Sequence, residues 1–152
     1  MATYLQRGGI VLSIILFLMS LTQPAFIVDG GMYIGFLLLL IGWLGVGLGA
    51  GISWLANPLI LVSWVTAGVP GLSFVLSLLA ALFAGSFLMF DEIIRDEGGG
   101  MEKIVGYSSG YWFWLFSMLV MLAGNTIRLI LLSLTSPVQK QQADAQKMDD
   151  LM

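Results

Sequence analysis

Apolar positions run along this chain in long blocks, and polar positions collect between the blocks. Four stretches, about 10–27, 33–50, 72–90 and 111–133, approach the ~20 apolar residues a helix needs to cross a ~30 Å hydrocarbon core. The first follows Arg7 and ends at Pro24 and the turn "VDGG", where Asp29 and two glycines are poorly suited to hydrocarbon. In "SLTQPAF", Gln23 occupies the position where a small residue would pair with Ala25 in a leader cleavage site, so the block reads as a retained helix. A tight hairpin then leads into the second block.

Residues 52–71, "ISWLANPLILVSWVTAGVPG", are apolar but interrupted by Asn57 and Pro58 and closed by Pro70. They allow a short helix over about 54–68, a length suited to a re-entrant or interfacial segment. Pro58 fits a first helical turn with Asn57 or a neighbour as its cap. Trp54 and Trp64 then fall at headgroup depth. The expected fold is an all-α membrane protein of four transmembrane helices plus this short helix, a single domain over residues 1–137. The alternative makes the segment a fifth span. After Pro137, "VQKQQADAQKMDDLM" lacks aromatic residues, and residues 138–152 are expected to be a frayed or disordered cytoplasmic tail.

Composition agrees with the pattern. Of 152 residues, 59% are hydrophobic and 10% charged, against roughly 25% charged in soluble domains. Asp29 is the one formal charge between Gly8 and Phe90. A net charge of −3 without a basic face argues against nucleic acid as a partner. With neither Cys nor His, disulfides, thiolate chemistry, imidazole bases and the commonest zinc ligands are excluded. Lys and Arg placement orients the chain. Four spans put Arg7, Arg128, Lys140 and Lys147 on one side and Arg95 and Lys103 on the other, whereas five spans divide them evenly. Both termini are therefore expected in the cytoplasm.

The last block opens with Tyr111, Trp112 and Trp114, an aromatic belt at one interface. Arg128 lies fourteen residues beyond Trp114, roughly 21 Å along a helix, and can snorkel to the opposite headgroups. Within the second block, "GWLGVGLGAG" pairs Gly45 with Gly49 and Gly47 with Gly51 at the four-residue spacing that lets helices approach closely. Their expected counterpart is the face of Ala80, Ala81, Ala84 and Gly85, with self-association or a glycine-lined conduit as alternatives. Small hydroxyls in the blocks can bond back to their own helices. Asn57 and Asn125 need partners elsewhere, and the four-span reading lets them meet each other or Arg128.

"DEIIRDEGGGMEK", Asp91 to Lys103, concentrates five of the nine acids. It lacks the alternating ligand spacing of a calcium loop. Exposed acids there have no evident means of shifting their pKa for catalysis. It reads as an outer connector, with Asp96 and Glu97 as a surface open to a partner. No catalytic, cofactor or metal site is expected.

Together "LFLMSLTQPAF", "WLANPLILVSW", "FDEIIRDEGG" and "GYWFWLFSMLVMLAGN" resemble a group of small bacterial polytopic inner-membrane proteins, over residues 11–125. The resemblance implies a first loop in the periplasm and supplies no activity. The chain departs from the group in having "VDGG" without cysteine and "AGVPG" without a basic residue. The functional expectation is a non-enzymatic membrane protein acting through helix packing with itself or a membrane-protein partner, as an accessory, scaffold or immunity-type factor. The rival expectations are a holin-like or channel-forming oligomer built on the glycine face, and a small-solute carrier using the broken "ANP" segment.

Overall fold

The computed structural model describes the backbone of residues 2–94 and 100–149, and the side chains of residues 4, 6–94 and 100–135. The chain is mostly helical. α1 is Ala2–Leu21, α2 Gly35–Ile41, α3 Ala56–Val65, α4 Pro70–Ser86 and α5 Ser109–Asp149. Four strands accompany them: β1 Pro24–Val28, β2 Gly31–Ile34, β3 Glu92–Ile94 and β4 Met101–Tyr107. Among the described residues, three stretches, Gly49–Gly68, Pro70–Met89 and Ser109–Thr135, are helical, long and apolar enough to cross a membrane by length and composition. The apolar part of α1, Gln6–Leu21, is shorter.

Side-chain contacts give the direction of each helix. Near the start of α1, Gln6 reaches Ala67 and Asn125, while at its far end a Cβ on Gly35 would overlap the Ser20 carbonyl. Tyr111, at the start of α5, bonds the Ala84 carbonyl near the end of α4. α1, α3, α4 and α5 therefore run alternately between two ends. One end is marked by Gln6, Ala67 and Arg128, and the other by the strands.

The expectation of an all-α protein is corrected by the sheet, which has the order β2-β1-β4-β3 with every neighbouring pair antiparallel. "AFIV-DG-GMYI" is a hairpin: Val28 pairs with Gly31 across Asp29 and Gly30. A D-G pair between β-branched or aromatic runs is a strong short-range hairpin signal. In β4, Met101, Lys103 and Val105 are exposed while Glu102 and Ile104 turn inward, the two-residue period of a strand. β3 pairs Glu92 with Lys103 and Ile94 with Met101, so both ends of the acidic connector belong to the sheet. Asp96 and Glu97 lie outside the described residues.

The second and third apolar segments also exchange roles. Residues 33–50 do not form one long helix. They comprise the end of β2, the seven-residue α2, a 3-10 turn over Gly42–Gly45, and a reversal at Gly47 (φ 134°) and Gly49 (φ 54°). Positive φ strains residues bearing a Cβ, which is why glycines occupy these two positions. The return limb starts as a 3-10 helix, Gly49–Leu55, and continues through α3 to a last 3-10 turn at Thr66–Gly68. The segment expected to be short thus belongs to a twenty-residue helical stretch. Pro58 is accommodated in the first turn of α3, and Pro70 opens α4.

Where the sheet meets the bundle, an aromatic cluster forms the core. Phe26 lies 5.1 Å from Tyr33 and 5.0 Å from Phe87, and Phe87 lies 5.6 Å from Tyr111, ring centre to centre. Deeper between the helices, Phe17 meets Trp64 edge to face at 5.4 Å. Such pairs add about 0.5–1.5 kcal/mol each beyond their area burial.

Candidate functional site

Two polar features lie within this apolar framework. The first is a spine of hydrogen bonds joining α1, α3, α4 and α5. Asn125, fully buried, accepts from Gln6 Nε2 at 3.0 Å and donates to Ser73 Oγ at 2.9 Å and Ser77 Oγ at 3.1 Å. Ser63 and Ser73 exchange bonds to each other's carbonyl oxygens, both at 2.9 Å, and so tie α3 to α4. Farther along α1, Ser13 Oγ donates to the Ser117 carbonyl at 2.7 Å and accepts from Trp64 Nε1 at 3.0 Å. These amides and hydroxyls need partners because an unpaired polar group in an apolar interior is costly.

Arg128 ends the spine. Its Nη1 donates to Gln6 Oε1 and to the Ala67 carbonyl, so the guanidinium turns into the bundle end. Among the described residues it meets no carboxylate. Asn57 and Asn125 occupy different sites: Asn57 donates to the Trp54 carbonyl at 3.0 Å and accepts from Trp114 Nε1 at 2.9 Å. Only Asn125 is linked to Arg128, through Gln6. Gln6 lies ahead of the apolar block read from hydropathy, and sequence reasoning missed it. Gly8 and Gly9 stand between it and the block and read as a turn, although α1 continues through them.

The second feature is a chamber beneath the sheet, about 380 Å³ in volume. Its walls come from β1 and β2, the Gly35–Leu48 limb, the returning 50–57 stretch and the first turns of α5. Glycines bring these walls together. A Cβ on Gly51 would overlap the Gly45 carbonyl, and one on Gly110 would sit 2.6 Å from the Pro24 carbonyl oxygen. Gly45 and Gly51 therefore close a hairpin within the chain, and the small-residue face expected along one helix is absent, since Gly47 and Gly49 form the reversal. On α4, Ala80 and Ala84 are fully buried, whereas Ala81 is half-buried and Gly85 faces open space.

Most polar atoms of the chamber lining are engaged. Trp54 Nε1 donates to the Leu39 carbonyl at 3.1 Å, Tyr111 OH to the Ala84 carbonyl at 3.1 Å, Tyr33 OH to Glu102 Oε2 at 3.2 Å, and Ser20 Oγ to the Phe17 carbonyl. Ser53 is the exception. It is 3% exposed, and its Oγ is the buried side-chain polar atom without a hydrogen-bond partner among the described residues. Leaving such a group unsatisfied costs about 1–3 kcal/mol.

The remaining interface anchors separate. Trp64 is drawn into the bundle by Ser13, Trp54 and Trp114 line the chamber, and Trp112 is exposed beside Tyr111 at 5.3 Å. In β4, Tyr107 has its pKa raised above the ordinary value, first by burial and second by the negative charge of Asp91. Among the described residues no group of three or more His, Cys, Asp or Glu is placed to hold a metal ion. Comparison with known protein families, curated proteins and solved structures finds no match.

Proposed function

We propose that the chain is a non-enzymatic, multi-pass protein of a bacterial inner membrane, with both termini cytoplasmic, that acts as an accessory or scaffold by docking on another protein or a second copy of itself. The outer face of the sheet carries this reading. Ile27, Met32, Ile34, Ile94, Met101 and Val105 are exposed there, Met32 at 63% and Val105 at 62%. These side chains stand on strands beyond the ends of the apolar helices, with the exposed Glu92 and Lys103 pair between Val105 and Met101, and exposed apolar side chains bordered by charge mark interaction sites. The bundle beneath is tied internally by its polar spine, so the face is presented on a rigid support. The glycines that a channel built on the second block would use are taken up by the intrachain hairpin.

The test is site-specific photo-crosslinking in intact membranes from Val105 and Met32, with the helix position Leu119 as a lipid-facing control. Docking predicts discrete protein adducts from the two sheet positions and none from Leu119. Charged substitutions at Ile27 and Met101 should abolish those adducts while leaving the melting temperature unchanged. Lipid adducts alone from all three positions would overturn the proposal.

A further inference from the structure

The geometry points to the chamber beneath the sheet as a binding site for a neutral, carbonyl-bearing amphiphile, whose carbonyl oxygen accepts a hydrogen bond from Ser53 Oγ. The inference is independent of docking on the outer sheet face.

The chamber volume falls in the ~300–1,000 Å³ range of small-molecule sites. Among the described residues its lining contains no charged side chain, so a charged ligand head finds no partner among them. Phe26, Trp54, Tyr111 and Trp114 supply aromatic walls, and three of them are fixed through hydrogen bonds: Trp54 to Leu39, Tyr111 to Ala84 and Trp114 to Asn57. Walls held in place before a ligand arrives reduce the ordering entropy of binding. Ser53 belongs to the same lining, and its unengaged hydroxyl, closed off in this rotamer, reaches a ligand by turning about the Cα–Cβ bond. A serine hydroxyl has one proton to donate, and a ligand carbonyl supplies the acceptor that this proton lacks within the described residues. Water fits poorly because an ordered water needs two to four polar partners. Exposed Ile41, Leu44 and Leu48 border the chamber, and an apolar tail can leave along them toward lipid.

Two membrane components share this chemistry, the ester carbonyl of an acylglycerol and the ring carbonyl of an isoprenoid quinone. The full chain, purified in dodecyl maltoside, is titrated with dioctanoylglycerol, with a short-chain benzoquinone and with dodecane. Binding is read by tryptophan fluorescence and thermal shift. At least one carbonyl probe should bind saturably and more tightly than dodecane. Ser53→Ala should weaken it roughly tenfold, the equivalent of one hydrogen bond, and Ser53→Thr should restore it. Response to one probe identifies its class, and response to both identifies the carbonyl alone as the recognised group. Failure of both, binding no tighter than dodecane, or undiminished binding by a Ser53→Ala chain that melts like the parent would each overturn the assignment.

Discussion

Replacing Asn125 with leucine removes three hydrogen bonds between helices while keeping the branched skeleton of four side-chain heavy atoms. Those bonds, at 3.0, 2.9 and 3.1 Å, connect α5 to Gln6 of α1 and to Ser73 and Ser77 of α4. Each surviving partner retains another bond. Gln6 Nε2 keeps the Ala67 carbonyl, Ser73 keeps the Ser63 carbonyl and Ser77 keeps the Phe74 carbonyl. The two serine protons stay paired, but one of the two Gln6 Nε2 protons loses its acceptor, so the cost is that of the bonds plus one unpaired N–H. Hydrogen bonds between membrane helices average ~0.6 kcal/mol, so three sum to about 2 kcal/mol, and the unpaired N–H adds to this, making at least a roughly 30-fold change in the unfolding equilibrium. The neighbouring Thr126 is the control, because its hydroxyl bonds the Leu122 carbonyl of its own helix. Thr126→Val should stay within about 0.5 kcal/mol. Equilibrium unfolding in mixed dodecyl maltoside and dodecyl sulfate micelles, followed by tryptophan fluorescence, measures both. An Asn125→Leu protein as stable as the parent, or an equal loss in Thr126→Val, would refute the claim that the spine holds the bundle together.

Gly51→Ala places a methyl on the Gly45 carbonyl and should lower the melting temperature sharply or prevent folding, whereas Gly85→Ala enters open space and should stabilise by up to ~1 kcal/mol. Thermal melts of the two variants compare them directly. A single cysteine at Lys103 should react with an impermeant thiol reagent in intact cells, and one at Arg7 only after permeabilisation; the reverse pattern would invert the proposed orientation. Tyr107, with its raised pKa, should ionise above the ordinary tyrosine value of about 10. Its neutral form is favoured by folding, so its contribution is complete below about pH 10 and is lost as pH rises through the folded-state value. Tyrosinate absorbance of the parent against Tyr107→Phe isolates this titration, and Asp91→Asn should bring it back toward pH 10.

Hydropathy legibly marked the apolar stretches, because a run of some twenty apolar residues needs no partner to be recognised. It could not tell residues 35–48 from 49–68, since both are apolar and differ mainly in what their glycines do. Gly47 and Gly49 read as a packing face while the backbone was assumed helical, and as a reversal once their φ values were positive. The strands were legible in "AFIVDGGMYI" and "MEKIVGY", yet a two-residue alternation over four to seven positions carries little weight in a long hydropathy window. The chain's conspicuous acids proved less informative than Ser53, an ordinary hydroxyl that became notable only through the absence of a neighbouring partner.

By itself, the sequence determined that the chain is mostly apolar helix, which groups are too polar to remain unpaired, and that cysteine and histidine chemistry is excluded. Tertiary structure decided which partners those groups found. Asn125 had to bond somewhere, but its union with Gln6, Ser73 and Ser77 depends on the rotation and depth of three helices, which composition and spacing leave open. The chamber is likewise a property of walls that converge from residues 20 to 114, and of backbones brought close enough that glycine is required at Gly51 and Gly110.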